Sequence, residues 1–257
     1  GISGIENNFQ NMNEKVKAHY DSHLADVYSW MAGDFREKVN QTREFFIKNN
    51  IKPSSTHSAI DLGSGHGIQS AALAEIGFDV TAVDFSEKLL LELKQNTANK
   101  VKTINGDITE FIYPMENKPE LIVCMGDTLT HLPSINEVNR LIGNAAENLY
   151  KNGRLVLSYR DLSRELTGTS RFIPVKSDNT RILTCFLEYS DSFVNVNDIL
   201  HEKINDKWEM KVSSYPKLKI PLNEITDIIQ GFGLSVTLTT VIQGMNYIIA
   251  EKNKIYT

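Results

Sequence analysis

Three glycines at alternate positions, Gly63, Gly65 and Gly67, sit between an apolar run and a helix-forming stretch, and this junction constrains the fold more than any other part of the chain. Ala59, Ile60 and Leu62 read as a short buried strand running into the turn. Residues Ile68 to Ile76 read as the helix that leaves it, closed by Gly77. The same alternation then repeats. Val80-Thr81-Ala82-Val83 is rich in β-branched residues and predicts a second strand, followed by a helix over Glu87 to Asn96. Val101 to Ile104 is a third strand and Leu121 to Met125 a fourth. A helix follows over Asn136 to Leu149, and Gly153 turns the chain into a fifth strand, Leu155 to Tyr159. Strands that alternate with helices imply a parallel sheet covered on both faces.

The pattern breaks after Arg160. From Arg171 to Lys219 the β-formers alternate, as in Ile182 to Tyr189, Phe193 to Ile199 and Trp208 to Tyr215, with polar turns at Ser190-Asp191-Ser192 and Asn205-Asp206. This predicts a small antiparallel insert. The α/β pattern resumes with a helix that Pro221 opens and Gly231 and Gly233 close. Ser235 to Val241 and Met245 to Ala250 then form a hairpin about Gln243-Gly244. Before the first strand, Phe9 to Met31 reads as helical, Gly33 ends it, and Asp34 is placed to cap a second helix toward Asn49. The expected architecture is a doubly wound α/β fold: a seven-stranded, mostly parallel sheet with an antiparallel final hairpin, and a small antiparallel β insert after strand five. It forms a single domain over 1–257, with an N-terminal helical cap over 1–52 and the insert at about 171–219. The insert lies beyond a strand's carboxyl end, where open α/β sheets bind ligands.

Charge and cysteine usage narrow the partners. The 257 residues carry a formal net charge of -5, and a protein that grips nucleic-acid phosphates needs a basic face, so no nucleic acid is expected. No apolar run approaches the ~18 residues needed to cross a bilayer, and GISGIENNFQ has neither the basic nor the apolar region of a secretory signal, so no membrane partner is expected. Cys124 and Cys185 form no C-x-x-C and no disulfide framework, which fits a reducing, cytoplasmic setting. His19 and His23 lie four apart, as metal ligands can, but no Glu sits beside them in an H-E-x-x-H pattern and no third ligand is near, so no metal is expected.

The residues around the glycine turn specify a ligand. Dinucleotide folds use G-x-G-x-x-G to seat a pyrophosphate, whereas this turn is G-x-G-x-G with Ile68 where the final glycine would stand. Asp61 precedes the turn. A carboxylate there repels a pyrophosphate and suits the amino group of a cofactor that bears an amino acid. Asp84 ends the second strand, where its carboxylate can accept from both hydroxyls of a ribose. Gly106-Asp107-Ile108 follows the third strand and sets Asp107 toward an adenine amino group.

With these residues in place the sequence resembles the class I S-adenosylmethionine-dependent methyltransferases, closely over Ser58 to Ser163 and in pattern over Leu222 to Lys252. Within that class it is similar to glycine N-methyltransferase and related small-molecule N-methyltransferases. The matching stretches are Asp79-Val-Thr-Ala-Val-Asp-Phe-Ser-Glu-Lys-Leu, Cys124-Met-Gly-Asp-Thr-Leu-Thr-His-Leu-Pro and Val156-Leu-Ser-Tyr-Arg-Asp, with Val27-Tyr28 and Gly33-Asp34-Phe35-Arg36 upstream. The resemblance implies S-adenosylmethionine as cofactor. It implies that Tyr20, Tyr28 and Arg36 close over it, Arg36 pairing with its carboxylate, and that Met125 lines the pocket. Ser64 and Phe85, beside the glycine turn and Asp84, and Ile108, beside Asp107, complete the cofactor set with Asp61, Gly63, Gly65 and Asp84. The resemblance also implies that Arg160 grips a substrate carboxylate, and that Gly126, Asp127, His131 and Tyr215 face the substrate. Asp127 and His131 are the candidate catalytic groups.

The chain departs from the glycine enzymes at Asp127 and Asp161, where they have Asn, and added negative charge beside the acceptor favours a cationic one. Each site residue also has a plainer reading. Arg160 can pair with Asp161 or a loop carboxylate, Asp127 can cap the turn that follows it, His131 can be a packed histidine, and Cys124 a small core hydrophobe. The expected function is methyl transfer to a small molecule, with the nitrogen of an amino acid or small amine as the leading acceptor. The alternatives are an O-, S- or C-acceptor and a non-catalytic cofactor-binding module. A homo-oligomer is compatible with all of them.

Overall fold

The computed structural model describes residues 25–253. The first elements are helices α1 (Ala25–Ala32) and α2 (Phe35–Lys48); the Asp34 side chain caps α2 by accepting from the N–H of Glu37 at 2.7 Å, as the sequence predicts. The remainder of the helix expected over Phe9 to Met31, and the His19/His23 pair, lie outside the described residues. Strands β1 (Ser58–Leu62), β2 (Asp79–Asp84), β3 (Lys102–Asn105), β4 (Leu121–Cys124) and β5 (Arg154–Tyr159) alternate with helices α3 (Ile68–Ile76), α4 (Glu87–Asn96) and α5 (Ile135–Asn148). Helix α5 begins one residue before its sequence-predicted start because Ser134 caps it, accepting from the N–H of Glu137.

The main sheet has seven strands in the order β10-β11-β5-β4-β1-β2-β3, with β10 (Leu234–Ile242) and β11 (Met245–Lys252) as the antiparallel pair. Gln243 and Gly244 both have positive φ (50° and 75°), the backbone of a two-residue hairpin turn. The central strands β1, β4 and β5 are largely apolar because both faces are buried, whereas edge strand β3 is largely polar and partly exposed. Ile60, Ile122, Leu155 and Leu157 point into a layer shared with α5 and helix α6 (Leu222–Gly231), while Ala59, Leu121, Val123 and Val156 point into a layer shared with α2, α3 and α4.

Strands β6 (Phe172–Ser177), β7 (Arg181–Tyr189), β8 (Phe193–Ile204) and β9 (Lys207–Leu218) form the separate antiparallel sheet, in that order. Sequence alternation marked three of these strands. The first, β6, carries no such alternation and is bulged between Pro174 and Lys176; proline is tolerated there because β6 is an edge strand, as is β9 with Pro216. The sheet is pinned at two places. Leu183 and Leu200 pack against Val27, Trp30 and Met31 of α1, and the Trp30 indole N–H donates to Asp178 at 2.8 Å. At the other end Leu218 and Ile220 enter the main core, so that β9 leads across the carboxyl ends of the main strands. Among the described residues no helix is long and apolar enough to cross a membrane, and no group of three or more His, Cys, Asp and Glu is placed to hold a metal.

Candidate active site

The order of the main sheet reverses between β1 and β4, and the crevice at the carboxyl ends of those strands is where such sheets bind ligands. Asp61 is the fourth residue of β1 and is 1% exposed. One of its oxygens, Oδ2, accepts from the Ser70 hydroxyl of α3 at 2.6 Å; the other, Oδ1, is buried with no hydrogen-bond partner among the described residues. Burial disfavours its charged form and the nearby Asp84 adds repulsion, so that despite the Ser70 bond the Asp61 carboxyl is raised to about 7. The Ser64 hydroxyl, in the glycine turn, is likewise buried with no partner among the described residues. A buried carboxylate with an idle oxygen fits a bound ammonium group, which would supply both the missing hydrogen bond and the missing charge.

Asp84, at the end of β2, holds the glycine turn in place. Its Oδ2 accepts from the N–H of Gly65 and its Oδ1 from the N–H of Ser86, each at 2.9 Å. A carboxylate can accept several hydrogen bonds at once, so holding the glycine turn is compatible with accepting from the hydroxyls of a ribose. The side chain of Asn105 donates to the carbonyls of Asp84 and Phe85 and fixes the backbone that carries them. Asp107 is exposed beyond β3; its Oδ1 closes a local turn by accepting from the N–H and hydroxyl of Thr109, both at 2.8 Å, with Ile108 half-buried beside it. Met125 is buried at the end of β4, next to exposed Gly126.

The glycines serve the chain as well as any ligand. A Cβ on Gly63 would stand 2.3 Å from the Thr128 methyl carbon, in a backbone with φ 75°. The space beside Gly63 is taken by Thr128, which brings the turn after β4 against the turn after β1. The Thr128 hydroxyl completes the contact through the carbonyls of Gly63 and Met125.

Asp127 does not cap the turn that follows it, the plainer of the two readings its sequence position offered. It stands at φ 71° before the short 3-10 turn Thr128–His131, and its side chain makes no cap bond there. Its Oδ1 accepts from the N–H of Arg160 at 2.8 Å and its Oδ2 from Lys217 Nζ at 2.6 Å. Burial pushes the Asp127 carboxyl up, but Lys217, the Arg160 N–H and His131 outweigh burial and hold it below the usual carboxylate range. It is an ionised anchor and a weak base. Arg160 itself is exposed and, among the described residues, pairs with neither Asp161 nor another carboxylate; its Nη1 donates to the Gln243 carbonyl of the hairpin at 3.2 Å. Asp161 accepts from Ser163 and from the N–H of Leu222. Tyr215 is buried on β9, its ring 5.6 Å from that of half-buried His131.

The structure thus brings together Asp61, Gly63, Ser64, Gly65, Asp84, Phe85 and Met125 at the switch point, with Asp107 and Ile108 on the β3 side. It groups Asp127, His131, Arg160, Gly126 and Tyr215 on the β4–β5 side. Arg36 does not join them: its guanidinium forms a bidentate pair with Glu75 at 2.6 and 2.8 Å. Glu75 lies seven residues along α3 from Ile68, about 10 Å of helix away from the glycine turn. Tyr20 lies outside the described residues, and of Tyr28 only the backbone, in α1, is described. Lys217 was missed in the sequence, although it sits at an inward-facing position of β9, opposite fully buried Val194.

Residues 59–153 match the family described as "Methyltransferase domain". The chain is similar to the glycine/sarcosine N-methyltransferase of Aphanothece halophytica, 29% identical over 121 residues that cover 46% of this chain and 45% of that protein. It is also similar to the glycine N-methyltransferase of Rattus norvegicus, 25% identical over 204 residues, 70% of this chain and 66% of that one. The chain thus spans about half the length of the glycine/sarcosine enzymes it matches. Among solved structures, the CcbJ methyltransferase from Streptomyces caelestis superposes with a TM-score of 0.76 at 18% identity, over 91% of this chain and 98% of that one, and shares the fold.

Proposed function

We propose that this chain, which carries an S-adenosylmethionine-dependent methyltransferase domain, transfers a methyl group to the nitrogen of an amino acid or similar carboxylated amine. The observation that carries the reading is Asp61, a buried carboxylate with one idle oxygen beside the glycine turn at the switch point. Bound S-adenosylmethionine supplies a methyl group already activated on a sulfonium. Asp61 would meet the cofactor's ammonium, Asp84 would hold the ribose, Asp107 would face the adenine, and Met125 would wall the pocket. Because the donor is activated, the protein's task is to place the acceptor nitrogen about 3 Å from the methyl carbon, in line, and to keep water out. The acceptor amine must first lose its proton. Asp127 is held ionised by Lys217 and is a poor proton acceptor, so that step falls to His131 or to a water it orients.

The charges of the cleft support a carboxylated acceptor. Lys217 neutralises Asp127, which leaves the exposed fork of Arg160 as a surplus positive charge beside the strand ends. A planar guanidinium matches a carboxylate in two parallel hydrogen bonds.

Calorimetry tests the cofactor: S-adenosylmethionine binds and NAD does not, and the reverse selectivity sinks the reading. An acceptor screen that detects S-adenosylhomocysteine release tests the rest. Carboxylated amines outcompete phenols and thiols, and Arg160→Lys lowers kcat/KM on the best acceptor by about tenfold while sparing cofactor affinity. A best acceptor without an anionic group, or an undiminished Arg160→Lys enzyme, turns the assignment toward an O-, S- or C-acceptor.

A further inference from the structure

Lys217 reaches from β9 to the end of β4. Its Nζ lies 2.6 Å from Asp127 Oδ2, with the two side chains only 16% and 10% exposed. The other Asp127 oxygen accepts from the backbone N–H of Arg160, and the N–H of Asp127 donates to the carbonyl of Ser158 at 3.2 Å. One carboxylate therefore joins the end of β4, the end of β5 and the antiparallel sheet.

We infer that Lys217 is a positioning residue of the acceptor cleft: by pairing with Asp127 it fixes the carboxylate that holds the Arg160 backbone, and so sets where the Arg160 guanidinium meets an anionic group of the acceptor. This rests on the reading of Arg160 as the acceptor's anchor. Among the described residues, the groups that face Asp127 are Lys217 from β9, the Arg160 N–H from β5 and His131 from the turn after β4. Lys217 in turn faces the Tyr215 ring, 6.0 Å from its Nζ, and the Cys185 thiol of β7. Without the lysine charge, burial is opposed only by the N–H and His131. The Asp127 carboxyl then protonates at higher pH and becomes a weaker, less fixed acceptor for Arg160.

Three full-length variants test this: Lys217→Met, Lys217→Arg, and Lys217→Met combined with Asp127→Asn. The double variant leaves no uncompensated buried charge and serves if the single one fails to fold. In the cofactor-free protein, the carbon-13 titration of the Asp127 carboxyl moves up by about one pH unit or more in Lys217→Met and stays near the parent in Lys217→Arg. In steady-state kinetics with a carboxylated amine and with its carboxamide, Lys217→Met and the double variant raise KM about tenfold for the carboxylate alone. For Lys217→Met the S-adenosylmethionine Kd stays within about twofold of the parent, and Lys217→Arg restores KM. An unmoved Asp127 titration, or equal KM losses for both acceptors, overturns the inference. If the parent turns over no carboxylated amine, the Arg160 reading fails, and the Asp127 titration alone decides whether Lys217 holds that carboxylate.

Discussion

Asp84→Ala weakens S-adenosylmethionine binding by about 2 kcal/mol or more, on the order of thirtyfold in Kd, because a carboxylate shared by two hydroxyls makes charge-assisted hydrogen bonds that no neighbour replaces. From the sequence alone the fold should be indifferent to this change, since Asp84 ends a strand. The structure adds a second cost. The N–H groups of Gly65 and Ser86 lose their acceptor in a buried setting, which costs about 1–3 kcal/mol for each group left unpaired. The variant therefore melts at lower temperature even without cofactor, and calorimetric titration must be run where it is folded. An unchanged Kd would place Asp84 outside the site.

The second large effect runs in opposite directions for binding and stability. Asp61→Asn removes the charge proposed to meet the cofactor's ammonium and is expected to weaken S-adenosylmethionine binding by about 2–3 kcal/mol at pH 8. In the cofactor-free protein the same change is stabilising at that pH. The folded-state carboxyl is raised from 3.8 to about 7, so between those values the folded protein binds more protons than the unfolded chain. Stability contributed by this group is complete below the unfolded value and is lost as pH rises through about 7. Asn carries no such penalty, and denaturant melts of the variant should lose this part of the pH slope. For the parent, cofactor binding ionises Asp61, so affinity rises with pH up to about 7 and binding below that pH releases protons, measurable as a buffer-dependent heat. Binding that releases no protons between pH 5.5 and 7 would contradict the pairing of Asp61 with an ammonium group.

What could be read in advance, and what could not, divides by sequence distance. The alternation of strand and helix, the glycine turn and the acids at strand ends are local patterns, and β1, α3, β2 and α4 stand where those patterns place them. The partners of the site residues are remote. Lys217 is 90 residues from Asp127, and Glu75 is 39 from Arg36, so neither pairing leaves a periodic trace. One signal was present: in β9 a lysine shares the inward parity of Tyr215, and a charge on a buried face needs a partner. The contact between Gly63 and Thr128 left no such mark, because a glycine that makes room for its own chain looks the same in sequence as one that makes room for a ligand.

The place of β11 carries a consequence for how the molecule is made. Residues emerge from the ribosome in order, yet Met245–Lys252 fills an interior position between β5 and β10. Until that segment emerges, β5 keeps an open edge and Leu234–Ile242 has no neighbour in the main sheet. The carbonyl that Arg160 leans on belongs to Gln243, 83 residues further along the chain. The glycine turn and Asp84 can be assembled once the first 84 residues have emerged, whereas the bond from Arg160 waits for Gln243. A translation product that stops short of Gln243 would keep the glycine turn and Asp84 and lack the carbonyl that accepts from Arg160.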